Sequence, residues 1–198
     1  MTTRLLSRAG AVAVVHISLV TGCTTSATLG VSPSDIVSAV IAGIDASTTT
    51  SSGGGRPTTR SRRIPASPAP SAAAARLLRT ANSYVGVRYV WGGNSPSQGF
   101  DCSGFTKYIF AKHDVGLPRT SREQSRTGTP VSAAFGSLRP GDLMFFAEPD
   151  ELISHVAIYV GDGVIIHSSS AVGGVGYTDL NREGDWFVAN FVAARRAR

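Results

Sequence analysis

Beyond position 70 the apolar residues fall into blocks whose spacing changes along the chain. Ala72 to Tyr84, rich in Ala, Leu and Arg, has helical spacing and is expected to end near Gly86, a good C-terminal stop. Tyr89 to Gly93 reads as an extended segment breaking into a turn, and Ser97 to Asp101 as a loop. Cys102 to Lys112 again has helical spacing, with Phe105, Ile109 and Tyr108 as its buried stripe. The polar run Pro118 to Pro130 holds one brief helical turn at Ser121-Arg122-Glu123-Gln124. Strand-like blocks then dominate. Leu138 to Asp142 is a tight turn feeding a strand over Leu143 to Ala147, and the strands Ser154 to Val160 and Val164 to Ser168 flank Gly161-Asp162-Gly163. A last strand is expected over Trp186 to Ala193. Helices first and strands afterwards predict an α+β domain with an antiparallel sheet.

The chain before this domain has another character. Thr24 to Ala75 is rich in Ser, Thr, Ala, Gly and Pro, too polar to offset the entropy of ordering, although a short marginal helix fits Ser34 to Ile44. Arg4 and Arg8 precede a mostly apolar run, Ala9 to Val20, too short to span a membrane but suited to an export signal. Val20-Thr21-Gly22-Cys23 resembles a bacterial lipobox, which implies cleavage before Cys23 and its lipidation. The expected organisation is a signal over 1–22, a disordered tether over 23–71 and one folded domain over 72–198. The resemblance implies a lipid-anchored protein of the bacterial cell envelope. Thr24 does not match an aspartate retention signal, so the outer-membrane periplasmic face is expected if the host has two membranes.

Net charge is +6, but Arg56, Arg60, Arg62 and Arg63 crowd into the tether, and from Ala74 onward basic and acidic residues nearly balance. With export and no recognition motif, nucleic acid is not an expected partner. If Cys23 carries lipid, the other cysteine, Cys102, has no intramolecular partner. Asp101-Cys102-Ser103-Gly104 sits where loop becomes helix. Free backbone N–H groups there favour a thiolate and can also stabilise an oxyanion. His155 is the candidate base and His167 the candidate partner that orients it. A three-residue loop at Gly161-Asp162-Gly163 sets Ala157 opposite His167 and both histidines on one face; a two-residue loop puts them on opposite faces. A zinc site of Cys102, His155 and His167 is the rival, but the spacings lack the short paired motif and no fourth ligand stands out. Neither a metal nor any other cofactor is therefore expected. His113 is expected to be exposed, and His16 belongs to the signal.

Four blocks, Tyr89-Val90-Trp91-Gly92-Gly93, Phe100-Asp101-Cys102-Ser103-Gly104-Phe105, Leu138-Arg139-Pro140-Gly141-Asp142-Leu143 and Ser154 to Gly161, together resemble the NlpC family of cell-wall cysteine peptidases, in the family's order. The resemblance covers nearly all of 72–194. It implies a papain-like α+β core, N-terminal helices packed on a central antiparallel sheet, and hydrolysis of peptidoglycan stem peptides, most often after γ-D-glutamate and before a diamino acid. It also implies that Cys102 is the nucleophile, His155 the base and His167 the residue that orients it. Tyr89 would then lie beside the thiol near the oxyanion site. Asp101 and Ser103 would help bind the stem peptide, Asp101 doubling as a helix cap and a partner for a free alanine amino group. Arg119 and Ser121 would line the cleft. A monomer is expected. Two other readings stand beside the endopeptidase: an amidase or acyltransferase on the same fold, and a non-catalytic peptidoglycan-binding lipoprotein.

Overall fold

A computed structural model describes residues 63–197. The signal, Cys23, the short helix at Ser34 to Ile44 and most of the tether lie outside the described residues. Helix α1 (Ala72–Asn82) starts at Ser71, whose hydroxyl accepts the Ala74 N–H at 3.2 Å, and buries Leu77, Leu78 and Ala81 along one stripe. A small hairpin, β1 (Asn94–Ser95) with β2 (Gly99–Phe100), leads into helix α2 (Cys102–Ala111). Phe105, Ile109 and Phe110 of α2 are fully buried, whereas Tyr108 is half-buried and packs against Tyr84 and Phe100. A single turn, α3 (Ser121–Gln124), is closed by a reciprocal Thr120–Glu123 capping box.

Six antiparallel strands follow. They are β3 (Thr129–Val131), β4 (Leu143–Phe146), β5 (His155–Gly161), β6 (Val164–Ser169), β7 (Gly174–Asp179) and β8 (Phe191–Arg196), in the spatial order β3-β8-β4-β5-β6-β7. The domain is α+β, with α1 and α2 packed against Leu143, Phe145, Val156 and Ile158 on one face of the sheet. The other face is covered as well. Met144, Phe146, Ala157, Tyr159 and Ile165 pack there against Leu138, Leu180, Phe187 and Ile64. Two covered faces explain why β4 reads as the unbroken apolar run Leu-Met-Phe-Phe instead of alternating.

Three features differ from the sequence-based expectation. The segment Trp186 to Ala193 is not one strand: helix α4 (Asp185–Ala189) precedes β8, and Phe187 and Val188 on that helix join the second apolar cluster. Strands β1, β2, β3 and β7 were not foreseen, and β2 falls within Ser97 to Asp101, expected as a loop. The packed domain also starts before Ala72. Ile64 is buried, its N–H donates to Asn181 Oδ1 at 2.9 Å, and Ser67 bonds both Asp162 and the Tyr159 hydroxyl.

The turn of Leu138 to Asp142 forms as expected and conceals an ion pair. Asp142 is 1% exposed and accepts from Arg196 Nε and Nη2, both at 2.7 Å, as well as from the Arg139 N–H. Removing one member of such a pair strands the other charge. Asp142→Ala is therefore expected to lower unfolding free energy by about 3 kcal/mol, read from urea unfolding of the full chain.

Candidate active site

Cys102 occupies the first position of α2, and the start of that helix is held by the preceding residue. The Asp101 carboxylate accepts the Gly104 N–H at 2.6 Å, the Gly92 N–H at 3.0 Å, and both Nη groups of Arg119 at 3.0 and 2.6 Å. Arg119 also reaches Ser103 Oγ at 3.0 Å. Gly104 is required at its position, because a side chain there would collide with the carbonyl of Gly93. Ser168 of β6 donates to the Phe100 carbonyl at 2.8 Å, which fastens this loop to the sheet. Buried Gln124 donates to the carbonyls of Ser103 and Pro118 and accepts from Thr106, locking α3 to α2.

The thiol of Cys102 points to the start of β5, where it donates to the Ser154 carbonyl at 3.9 Å, a weak bond to the residue preceding His155. Burial pushes the thiol up from its ordinary value. The backbone N–H groups of Val156, Ser103 and Cys102 pull the other way, and Asp101 adds to the upward shift. The N–H groups at the helix start thus act as expected, but burial outweighs them and the resting group is a thiol, not a thiolate. Tyr89 lies near Cys102; its hydroxyl has no hydrogen-bond partner among the described residues, and burial, with the nearby Cys102 and Asp101, raises its pKa.

The two histidines share one face, though by a different route from a three-residue loop. Gly161 pairs with Val164, so the loop is the two-residue Asp162-Gly163, and Asp162 carries a positive φ of 49°. A bulge between Tyr159 and Gly161 inserts the missing residue and restores the register Tyr159↔Ile165 and Ile158↔Ile166. Continued by one residue, that register sets Ala157 opposite His167 and makes His155 its diagonal neighbour. His155 Nε2 and His167 Nδ1 are 2.8 Å apart, with the rings edge to face. His167 Nε2 lies 2.9 Å from Thr178 Oγ1 on β7. Phe187 of α4 packs against both imidazoles. Burial lowers His155 to about 4, and burial with the neighbouring His155 lowers His167 to about 3, so both rings are neutral near pH 7.

The residues singled out in the sequence separate into groups here. Cys102, His155, His167, Tyr89, Asp101, Ser103 and Arg119 gather where the start of α2 meets the start of β5. Asp101 acts as helix cap and ion-pair hub, with five hydrogen bonds on its two oxygens. Ser121 is buried at the start of α3, and its hydroxyl makes no hydrogen bond among the described residues. His113 is half-buried and bonds Thr80 instead of standing exposed. Zinc would need the histidine nitrogens aimed at a common point. Two of them are aimed at each other, and among the described residues no three His, Cys, Asp or Glu side chains are placed to share a metal ion. A separate cavity of about 1100 Å³, between the start of α1 and the Arg139–Asp142 turn, contains none of the site residues. Thr178, Phe187 and Gln124 were missed. The first two sit on elements the sequence did not reveal, and Gln124 looked like one more residue of a polar run.

Residues 86–196, more than half of the chain, match the NlpC/P60 family. This chain belongs to that family. In Bacillus cereus a protein named gamma-D-glutamyl-L-lysine dipeptidyl-peptidase is 41% identical over 129 residues, covering 64% of this chain and 37% of that protein. The probable endopeptidase p60 of Listeria innocua is 45% identical over 108 residues, 54% of this chain and 22% of p60. Both relatives are thus far longer than the part they share with this NlpC/P60 chain. Among solved structures, an NlpC/P60 family protein from Bacillus cereus superposes with a TM-score of 0.56 at 38% identity, covering 67% of this chain and 41% of the other. The peptidoglycan hydrolase RipB of Mycobacterium tuberculosis gives 0.52 at 33% identity, covering 63% and 64%.

The neutral histidines set a sign for pH. An unfolded histidine titrates near 6.5, so between that value and about 4 the unfolded chain binds more protons than the folded one. Stability from this source is full above about pH 6.5 and falls on acidification. The urea midpoint is expected to be lower at about pH 5 than at about pH 7.5, with a smaller difference in His167→Gln.

Proposed function

We propose that this chain is a cysteine endopeptidase of peptidoglycan stem peptides. The observation that carries the reading is the 2.8 Å bond between His155 and His167 beside a thiol at a helix start, in a chain of the NlpC/P60 family. With His155 Nε2 committed to His167, Nδ1 is the nitrogen left to accept a proton. Rotation of the thiol away from the Ser154 carbonyl brings its proton to that nitrogen; such bonds are often unmade without substrate. The sulfur then attacks the scissile carbonyl carbon. The tetrahedral oxyanion is held by the Cys102 N–H, with the free Tyr89 hydroxyl as a second donor. The imidazolium returns its proton to the leaving amine, and a thioester remains on Cys102. Water, deprotonated by His155, hydrolyses the thioester and restores the thiol.

The start from neutral thiol and neutral imidazole follows from burial of all three groups. In this reading Arg119, held by Asp101 and still 33% exposed at its side chain, offers positive charge to a substrate carboxylate, and Ser103 stands beside it. Cleavage after γ-D-glutamate and before a diamino acid is the finer assignment, supported by the name of the Bacillus cereus relative. Mass spectrometry of muropeptides incubated with the full chain is expected to show a new amino terminus on the diamino acid. Cys102→Ala is expected to reduce that cleavage by about 10³-fold or more with an unchanged melting temperature. Equal cleavage by the folded variant overturns the mechanism.

We also propose that the chain is anchored in the cell envelope through lipid on Cys23, on the strength of Val20-Thr21-Gly22-Cys23 behind an apolar run. Metabolic labelling with a palmitate analogue is expected to mark the wild type and to be lost in Cys23→Ser. Unlabelled wild-type protein counts against the anchor.

A further inference from the structure

The bond from His167 to Thr178 has no role in the reading above, yet it lies in line with the pair that does. His167 is 1% and Thr178 6% exposed, and β7 sets Thr178 opposite Ile165, diagonal to His167 and on the same face. Phe187 packs edge to face against the His167 ring at 5.2 Å. Among the described residues, Thr178 Oγ1 is the hydrogen-bond partner of His167 Nε2.

A neutral imidazole carries one N–H, so the three groups form a chain with a direction. In one direction His155 Nε2–H donates to His167 Nδ1, and His167 Nε2–H donates to Thr178 Oγ1. His155 Nδ1 is then bare. In the other direction Thr178 donates to His167 Nε2, His167 Nδ1–H donates to His155 Nε2, and His155 carries its proton on Nδ1. Only the first direction can take the thiol proton.

Resting on the assignment of Cys102 as nucleophile and His155 as base, we propose that Thr178 is a positioning residue that accepts a hydrogen bond from His167 Nε2–H and so keeps His155 Nδ1 open for the thiol. A neutral hydroxyl suits a buried imidazole that stays uncharged: it orients the ring and supplies an acceptor without a buried carboxylate. Thr178 touches neither substrate nor thiol and acts through two rings. The methyl group of threonine packs while the hydroxyl orients, so the two contributions can be separated by substitution.

Thr178→Val keeps the shape and removes the acceptor; Thr178→Ser keeps the acceptor and removes the methyl. In the full chain, Thr178→Val is expected to lower kcat on a muropeptide by about tenfold or more with KM within about twofold, and Thr178→Ser to stay within about threefold of the wild type. Nitrogen-15 spectra of the histidine rings are expected to show His167 protonated on Nε2 in the wild type and in Thr178→Ser, and on Nδ1 in Thr178→Val. Wild-type spectra with the His167 proton on Nδ1 overturn the proposal, whether or not any variant folds. A Thr178→Ser variant that loses as much activity as Thr178→Val overturns it too, since packing is then the cause. Cys102→Ala serves as the control. If it still cleaves, the reading of the site fails; if it is inactive while Thr178→Val matches the wild type, the inference about Thr178 alone fails.

Discussion

Five hydrogen bonds converge on the Asp101 carboxylate, and the position of everything around the thiol depends on them. One oxygen caps α2 and sets where its first turn begins, which places Cys102. The other draws in the Gly92 N–H and shapes the loop that carries Tyr89. Both oxygens hold Arg119, which lies in the segment between α2 and α3. A single anion thereby joins the helix start, the loop before it and the Arg119 cation. Such a carboxylate can tolerate being 9% exposed because its charge is met by guanidinium and N–H donors on nearly every side.

Opposite that hub stand the thiol and the two imidazoles, all uncharged near pH 7. Burial raises the thiol and lowers both imidazoles, so the resting centre is neutral. Phe187 and Phe146 provide the apolar wall that produces this state, and both belong to the sheet face away from α1 and α2. The thiol therefore borders the core under α1 and α2, while the histidines pack against rings of the core on the other face of the sheet.

Much of this could be read from the chain itself. Cys102 at a helix start and the alternation through β5 follow from residue spacing, because buried faces impose period on sequence, whereas the common face of the histidines depended on the turn. The means by which the register is achieved could not be read. A two-residue turn with a bulge and a three-residue turn give the same facing, and nothing in Val160-Gly161-Asp162-Gly163 separates them. Strand β7 was hidden by its glycines Gly174 and Gly176 and by Gly173 just before it, which read as loop although Gly174 sits where Val87 approaches too closely for a side chain. Trp186-Phe187-Val188 has strand-forming residues but forms a helical turn, since its aromatic rings serve to cover the second core. Gln124 and Thr178 show the limit of the method. Their value lies in which buried atoms they face, and that is fixed by tertiary contact alone.

The short stretch from Ile64 to Ser67 has a consequence for how the domain is held. It packs beside the turn that joins β5 to β6, and β5 runs seven residues from there to His155, about 20 Å of strand. The polypeptide therefore enters the domain at the end of the sheet remote from the thiol. If the domain is held by that end, as the proposed anchor on Cys23 implies, the point of attachment and Cys102 lie at opposite ends of β5.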